Sequence, residues 1–301
     1  MLSHRLAPLC AFAALAFAQD PIIPNAHFHH LHLNATDPGA AIEFYTTKFD
    51  AEKAKFAGLS DAVWTQKSWI LFNKVNTPPV SDITSTIWHF GWGAEDMKAT
   101  YEKQLASGTK FQTPLTDISD IGASPDSKTP PRMGFFFYAY VDGPDHSLIE
   151  LNTAQFHRFG HIHLLSEDPP AAGDWYVKHF GGTNLRKTTQ TRIYRDVQIA
   201  PSASLNLDNV NIIIYPVQYA RTSKWPYWDN RQTFESTQGH VVDHIGISVD
   251  HLDDAMAKLK AAGVKILAEP RSVANGKIKF AFIEGPDKMR IEIIEGHALK
   301  E

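Results

Sequence analysis

Cysteine is almost absent: the 301 residues contain one, Cys10. It lies in an apolar run from Leu6 to Phe17 that follows His4-Arg5 and ends in Ala16-Phe17-Ala18, the pattern of a secretory signal (residues 1–18) expected to be cut after Ala18. The mature chain would then hold no cysteine, so disulfides cannot be its framework even though export would permit them. Runs of lysine or arginine are missing too, and the net charge is only −4, which removes a nucleic-acid surface or a polybasic membrane patch from consideration. After the signal no segment approaches the ~20 uninterrupted apolar residues that a membrane span needs. Small molecules are the partners left, for a chain standing as a monomer or homodimer. A hydrophobic content of 43 % is ample for two ordinary globular domains.

What the chain has is repetition. His30-Leu31-His32-Leu33, then Asp37-Pro38, Phe44-Tyr45 and Phe49, matches His161-Ile162-His163-Leu164, then Asp168-Pro169, Trp175-Tyr176 and Phe180, without a gap. His89-Phe90-Gly91 through Phe111 matches His244-Ile245-Gly246 through Ile266 in the same way. Gly143-Pro144-Asp145 leads to Glu150 as Gly285-Pro286-Asp287 leads to Glu292. Repeats of this kind imply a duplicated structural unit, and ligand-type residues recurring at matching places imply duplicated chemistry.

The His30 segment alternates like a half-buried strand, with His30 and His32 on one face and Leu31 and Leu33 on the other. Asp37 suits a helix N-cap and Pro38 the first helical position, and Asp168-Pro169 repeats that start. Glu95 to Gly108 and His251 to Gly263 read as amphipathic helices ending at a left-handed glycine. Short extended segments follow each helix, among them Trp69 to Val75, Phe135 to Val141, Leu148 to Asn152, Ile193 to Gln198 and Val210 to Pro216. The chain is therefore expected to be α+β: four βαβββ units paired as an N-terminal domain (25–153) and a C-terminal domain (158–297), joined near Thr153 to Arg158. Leu115 to Met133 and Val217 to Gly239 read as long loops, which in compact domains are often functional. His157, His179, His251 and His297 read as ordinary surface residues.

Glu150 and Glu292 each stand between apolar neighbours in a strand, and a buried carboxylate must be neutralised, hydrogen-bonded or bound to a cation. Two histidines from other strands would complete a two-His-one-carboxylate set, which leaves several metal positions open. His32 and His163 lie two residues past the first ligands, roughly 6.6 Å along the strand, as candidate acids or bases or as outer-shell groups. Tyr138 and Tyr140 share a face before Glu150, where Phe280 and Phe282 stand in the other copy, so the first half is expected to be the better equipped. Arg221, Trp225, Tyr227 and Trp228 could cover the second cavity and stack on a ligand, or pack the domains together.

These residues resemble the vicinal oxygen chelate superfamily of glyoxalases, extradiol dioxygenases, fosfomycin-resistance transferases and bleomycin-binding proteins, over nearly all of residues 28 to 296. The resemblance implies cupped sheets of paired βαβββ units. It places metal ligands at His30, His89 and Glu150 in the first half and at His161, His244 and Glu292 in the second. Glyoxalases of the family usually add a fourth ligand, Glu or Gln, yet the stretch around Leu71 has no acid and Asn211 to Tyr215 is equally bare of carboxylates. The extradiol signature is not met either, since Gly143 and Gly285 replace its polar residue before proline, and His146 and Lys288 its glycine. In two-domain extradiol enzymes the working site usually lies in the second half. The favoured expectation is an exported metalloenzyme cleaving a vicinal aromatic diol with oxygen, with Fe2+ ahead of Mn2+, Zn2+ or Ni2+. The alternatives are glyoxalase-like lyase or isomerase work on a small oxo compound and non-catalytic binding of a planar small molecule.

Overall fold

A computed structural model of the protein, described over residues 20–123, 127–219 and 233–297, turns the sequence repeat into four βαβββ units. The first is β1 His27–Ala35, α1 Pro38–Lys48, β2 Glu52–Phe56, β3 Ser60–Thr65 and β4 Ser68–Lys74. The second is β5 Ile87–Ala94, α2 Met97–Ala106, β6 Phe111–Asp117, β7 Phe137–Asp142 and β8 Leu148–Thr153. The third is β9 Phe159–Ser166, α3 Pro169–Phe180, β10 Thr183–Tyr194, β11 Val197–Leu207 and β12 Val210–Pro216. The fourth is β13 Val242–Val249, α4 Leu252–Ala261, β14 Ile266–Val273, β15 Ile278–Glu284 and β16 Arg290–Glu295.

Local chemistry explains the helix limits. The side chains of Asp37, Asp96 and Asp168 each accept a hydrogen bond from the backbone N–H three residues on, and prolines fill the first positions of α1 and α3. The fourth start has His251 with no side-chain cap and instead sets Asp253 and Asp254 in its first turn, against the positive end of the helix dipole. Gly108, Gly181 and Gly263 take the left-handed conformation just past the helices, with φ of +77°, +77° and +80°.

Within each unit the first strand lies parallel to the last, as β1 does to β4 and β9 to β12. Units then join antiparallel through their first strands, and the pairing does not follow chain order. β1 pairs with β13, so the first and fourth units form sheet I, in the order β14-β15-β16-β13-β1-β4-β3-β2. β5 pairs with β9, so the second and third form sheet II, in the order β10-β11-β12-β9-β5-β8-β7-β6. Residues 153–158, expected to join two domains, therefore connect two strands of one sheet, and each half of the chain contributes half of each sheet. A periodicity argument sees the units but not their partners, because every unit offers the same first strand to pair with.

One core serves both sheets. Leu31, Leu33, Ile162, Leu164, Phe90 and Trp92 all belong to it, and α1 spans the junction, with the Phe49 ring 5.1 Å from Trp92 and Tyr45 6.4 Å from Phe90. The Gly-Pro-Asp motifs latch the sheets together. Asp145 of the second unit accepts hydrogen bonds from the backbone N–H (3.0 Å) and hydroxyl (2.6 Å) of Thr36 in the first, and Asp287 of the fourth accepts the backbone N–H of Glu167 in the third at 3.2 Å. The histidine faces point away from this core.

Two expectations change. Ile193 to Gln198 is not one strand but the tip of a long β10–β11 hairpin that turns at Arg195 and Asp196, both at positive φ (46° and 67°); with no glycine in the turn, the sequence hid it. His179 is buried rather than exposed: its ring lies 4.2 Å from Trp175 and its Nδ1 bonds the Trp175 carbonyl at 2.7 Å.

Candidate metal centres

The six expected ligands do converge, but not as expected. The sets His30–His89–Glu150 and His161–His244–Glu292 are replaced by exchanged ones, because each sheet is made from units of both halves. Sheet I gathers His30, His32, His244 and Glu292, and sheet II gathers His89, Glu150 and His161; in each group one ligand-type atom per residue lies within 4.8 Å of all the others.

In sheet II, His89 Nε2 stands 2.8 Å and His161 Nε2 3.9 Å from Glu150 Oε2. His161 Nε2 is buried without a hydrogen-bond partner. An orphaned imidazole nitrogen aimed at a carboxylate and a second imidazole is the condition a divalent ion would relieve, and the donor set suits one. Burial holds the His89 ring well below its ordinary pKa and brings His161 down to about 4, so both are neutral, lone-pair-bearing ligands at neutral pH. Burial raises the Glu150 pKa, against the pull of His161 and a hydrogen bond donated by Tyr140.

The glycine two residues after each unit-two or unit-four histidine now has a reason. Gly91 lies opposite His161 and Gly246 opposite His30 across the antiparallel strand pairs. A β-carbon on Gly91 would sit 1.8 Å from His161 Cε1, and one on Gly246 2.1 Å from His30 Cε1. Each ring therefore lies flat over a bare backbone.

Sheet II opens into a cavity of about 270 Å³. Glu150, His161 and His163 line it together with Trp88, Tyr138, Tyr140, Tyr194, Tyr215 and Tyr219. Its roof comes from the β10–β11 hairpin, which the sequence reading missed: Tyr194 donates to Asp120 at 2.7 Å and Arg195 bonds the same carboxylate at 2.8 Å, tying the hairpin tip to the loop after β6. Burial raises the hydroxyl pKa of Tyr140 well above normal and that of Tyr215 to about 12, with Glu150 adding to both, so these groups stay protonated donors. Tyr138 and Tyr140 are thus at the cavity, as their spacing suggested. His163 lines it as well, with Nδ1 3.3 Å from His89 Nε2 and its own Nε2 buried and unpartnered. Arg221, Trp225, Tyr227 and Trp228 lie outside the described residues.

In sheet I, His244 Nε2 is 3.1 Å and His30 Nε2 3.9 Å from Glu292 Oε2. His244 Nδ1 bonds Asp243 at 2.7 Å, and Asp243 is itself bonded by Arg290, the Gly239 N–H and Asn34. Burial would lower the His244 pKa, but Asp243 and Glu292 outweigh it and raise it. His32 joins this ligand group rather than facing a cavity.

The buried imidazoles predict an acid weakness in metal-free protein. His161 folded has a pKa of about 4 against an ordinary 6.5, so between those values the unfolded chain holds more protons and folding stability falls as pH falls. At 1.36 kcal/mol per unit, His161 alone would remove roughly 3 kcal/mol by pH 4. Urea unfolding of metal-stripped protein at pH 7 and pH 4.5 measures it; equal unfolding free energies would contradict the neutral buried ring.

A family model described as the Glyoxalase/Bleomycin resistance protein/Dioxygenase superfamily matches residues 27–120 and 158–293. Lactoylglutathione lyases of Salmonella typhimurium and Escherichia coli O157:H7 are 35 % and 37 % identical over 57 residues, 19 % of this chain and 42 % of each relative. The chain thus spans less than half the length of these curated relatives. Among solved structures, glyoxalase I from Zea mays superposes with a TM-score of 0.60 at 16 % identity, over 90 % of this chain and 92 % of that one.

Proposed function

The chain belongs to the glyoxalase/bleomycin resistance protein/dioxygenase superfamily, and from that premise we propose that it is a metal-dependent enzyme working in the sheet II cup, cleaving a small aromatic vicinal diol with oxygen. The observation that carries this reading is the triad of His89, His161 and Glu150, of which Glu150 and His161 line an open cavity walled by tyrosines and one tryptophan. A divalent ion held by these three would act as a Lewis acid with open positions, and ferrous iron would also bring dioxygen beside the substrate. Ile213, opposite His163 on β12, and Leu71, opposite His32 on β4, stand where a fourth ligand would be expected of a glyoxalase, which favours three-ligand chemistry.

The chain's own groups supply the rest. The aromatic walls stack on a planar ring and keep water from it. His163, a neutral imidazole lining the cavity, can hydrogen-bond a substrate oxygen there. Tyr140, held as a protonated donor on Glu150, orients the carboxylate and can accept a hydrogen bond from a substrate hydroxyl. Replacing Tyr140 by phenylalanine is expected to lower kcat by about 100-fold while leaving the metal content of the purified protein unchanged by elemental analysis; unaltered kcat would remove the hydroxyl from the mechanism.

A second reading keeps the site and changes the reaction. The lactoylglutathione lyases among the relatives favour redox-neutral work on an oxo compound. Oxygen-electrode assays with catechols, run beside an anaerobic assay with an oxoaldehyde and glutathione, separate the two: oxygen consumed in proportion to ring opening supports the first, and turnover without oxygen the second. We also propose export, on the apolar run ahead of Gln19; N-terminal sequencing of the secreted product should begin there, and an intact Met1 would overturn it.

A further inference from the structure

The two cups are built from the same repeat and have diverged in opposite directions. Sheet II keeps polar or small groups around its triad: Tyr138 and Asn152 on β7 and β8, and the cross-strand pair Asn206 and Asn211, which hydrogen-bond at 2.7 Å. The matching positions of sheet I are Phe280, Ile294 and the pair Trp64 and Trp69, whose rings are 4.8 Å apart. Phe56, Trp69, Leu71 and Ile294 pack there into a separate buried apolar cluster. Where Asn152 lines the sheet II cavity, sheet I has Ile294, packed into that cluster.

The polar residues of sheet I changed in the complementary sense. A fourth ligand-type group, His32, lies within 4.8 Å of the other three, whereas in sheet II the matching His163 is not a member of the group. His30, fully buried, has an Nε2 without a partner, and one nitrogen of His32 is likewise buried and unpartnered. Two of the three ligand rings are held from behind. His29 Nδ1 lies 2.9 Å from His30 Nδ1, which leaves His30 Nε2 turned toward Glu292, and Asp243 with Arg290 does the same for His244. A carboxylate-backed imidazole such as His244 is fixed in tautomer and direction for a metal. In sheet II the residue at the place of Asp243 is Trp88, and His89 Nδ1 has no partner.

Four converging ligands beside a packed apolar cluster are the attributes of structural zinc sites, while catalytic sites keep a position open. We propose that the sheet I cluster is a closed four-ligand site for a zinc-class divalent ion, completed by His32, and that it clamps the first unit of the chain to the last. The ligands come from β1 on one side and from β13 and β16 on the other, so an ion there cross-links strands more than 200 residues apart in sequence. This assignment does not depend on the reaction proposed for sheet II.

The test uses the full chain loaded with zinc chloride and dialysed without chelator. Elemental analysis should find two ions per wild-type chain, and X-ray absorption of the ion that resists a mild chelator should show four light-atom neighbours including three imidazoles. In His32→Gln, which keeps a side chain of similar size, the resistant ion should bind at least about tenfold more weakly, and the gain in thermal midpoint on adding zinc should shrink. In His89→Ala, the resistant ion and its thermal gain should remain. If the His32→Gln chain keeps wild-type chelator resistance and thermal gain, or if the wild type holds a single ion that His89→Ala removes, the closed site does not exist. Loss of turnover in His89→Ala with the resistant ion retained would leave both proposals standing; loss of the chelator-labile ion without loss of turnover would sink the sheet II reading alone.

Discussion

Replacing His89 by alanine is expected to strip the ion from sheet II and to lower kcat/KM by more than about 100-fold, since losing even an outer-shell partner of a metal ligand costs 10–100-fold in affinity or activity. The reason is geometric. His89 supplies the imidazole closest to Glu150, at 2.8 Å, and its ring also meets those of Trp88, Tyr140 and His163 edge-on, at 4.3, 5.0 and 4.8 Å between centroids. Alanine removes the ligand and loosens the three rings that shape the inner wall of the cavity. Steady-state kinetics with elemental analysis of the same preparation reads both effects. Activity that survives His89→Ala and disappears in His244→Ala would move the working centre to sheet I.

The second large effect is expected from a single methyl group. Gly91→Ala would place a carbon 1.8 Å from His161 Cε1, far inside contact distance, and the obstacle is a ring seated against backbone on a central strand. Either the ring rotates out or β5 and β9 part. Overpacking of this kind typically costs 1–3 kcal/mol, and a misplacement of about 1 Å in a reacting group can cost 10²-fold in rate. A drop in thermal midpoint together with an activity loss of about that size is the expected pair. Gly122→Ala is the control, for a β-carbon there meets nothing within 4 Å. If Gly91→Ala matches that control in both readouts, the close seating of His161 is wrong.

The family, the four units and the six converging residues were legible because they rest on local and repeated signals. Alternation in His30-Leu31-His32-Leu33 gave the facing of the side chains, Asp-Pro the helix starts, and the repeat the equivalence of Glu150 and Glu292. The pairing of units was not legible. Four copies of one strand carry no mark of which joins which, and only the register of β1 on β13 and of β9 on β5 resolves it. The roof of the cavity was missed for a related reason: the β10–β11 hairpin is polar and partly exposed along most of β10, so burial patterning is faint, and its Arg195-Asp196 turn lacks the usual glycine. The contrast between Tyr138 and Tyr140 and their phenylalanine counterparts pointed to a better-equipped first half; both tyrosines line the sheet II cavity, in a cup that also takes His161 from the other half.

The nested arrangement of the sheets has a consequence for how the polypeptide acquires its shape during synthesis. Sheet II is drawn from a continuous stretch between Ile87 and Pro216, so all its strands are available once the ribosome has passed that point. β1 to β4 emerge earlier yet must wait, edge unpaired, until β13 to β16 arrive, and closing so wide a loop is slow. Chaperone dependence and aggregation on interrupted translation should therefore fall on β1 to β4, whose β1 edge has no mate until β13 has emerged.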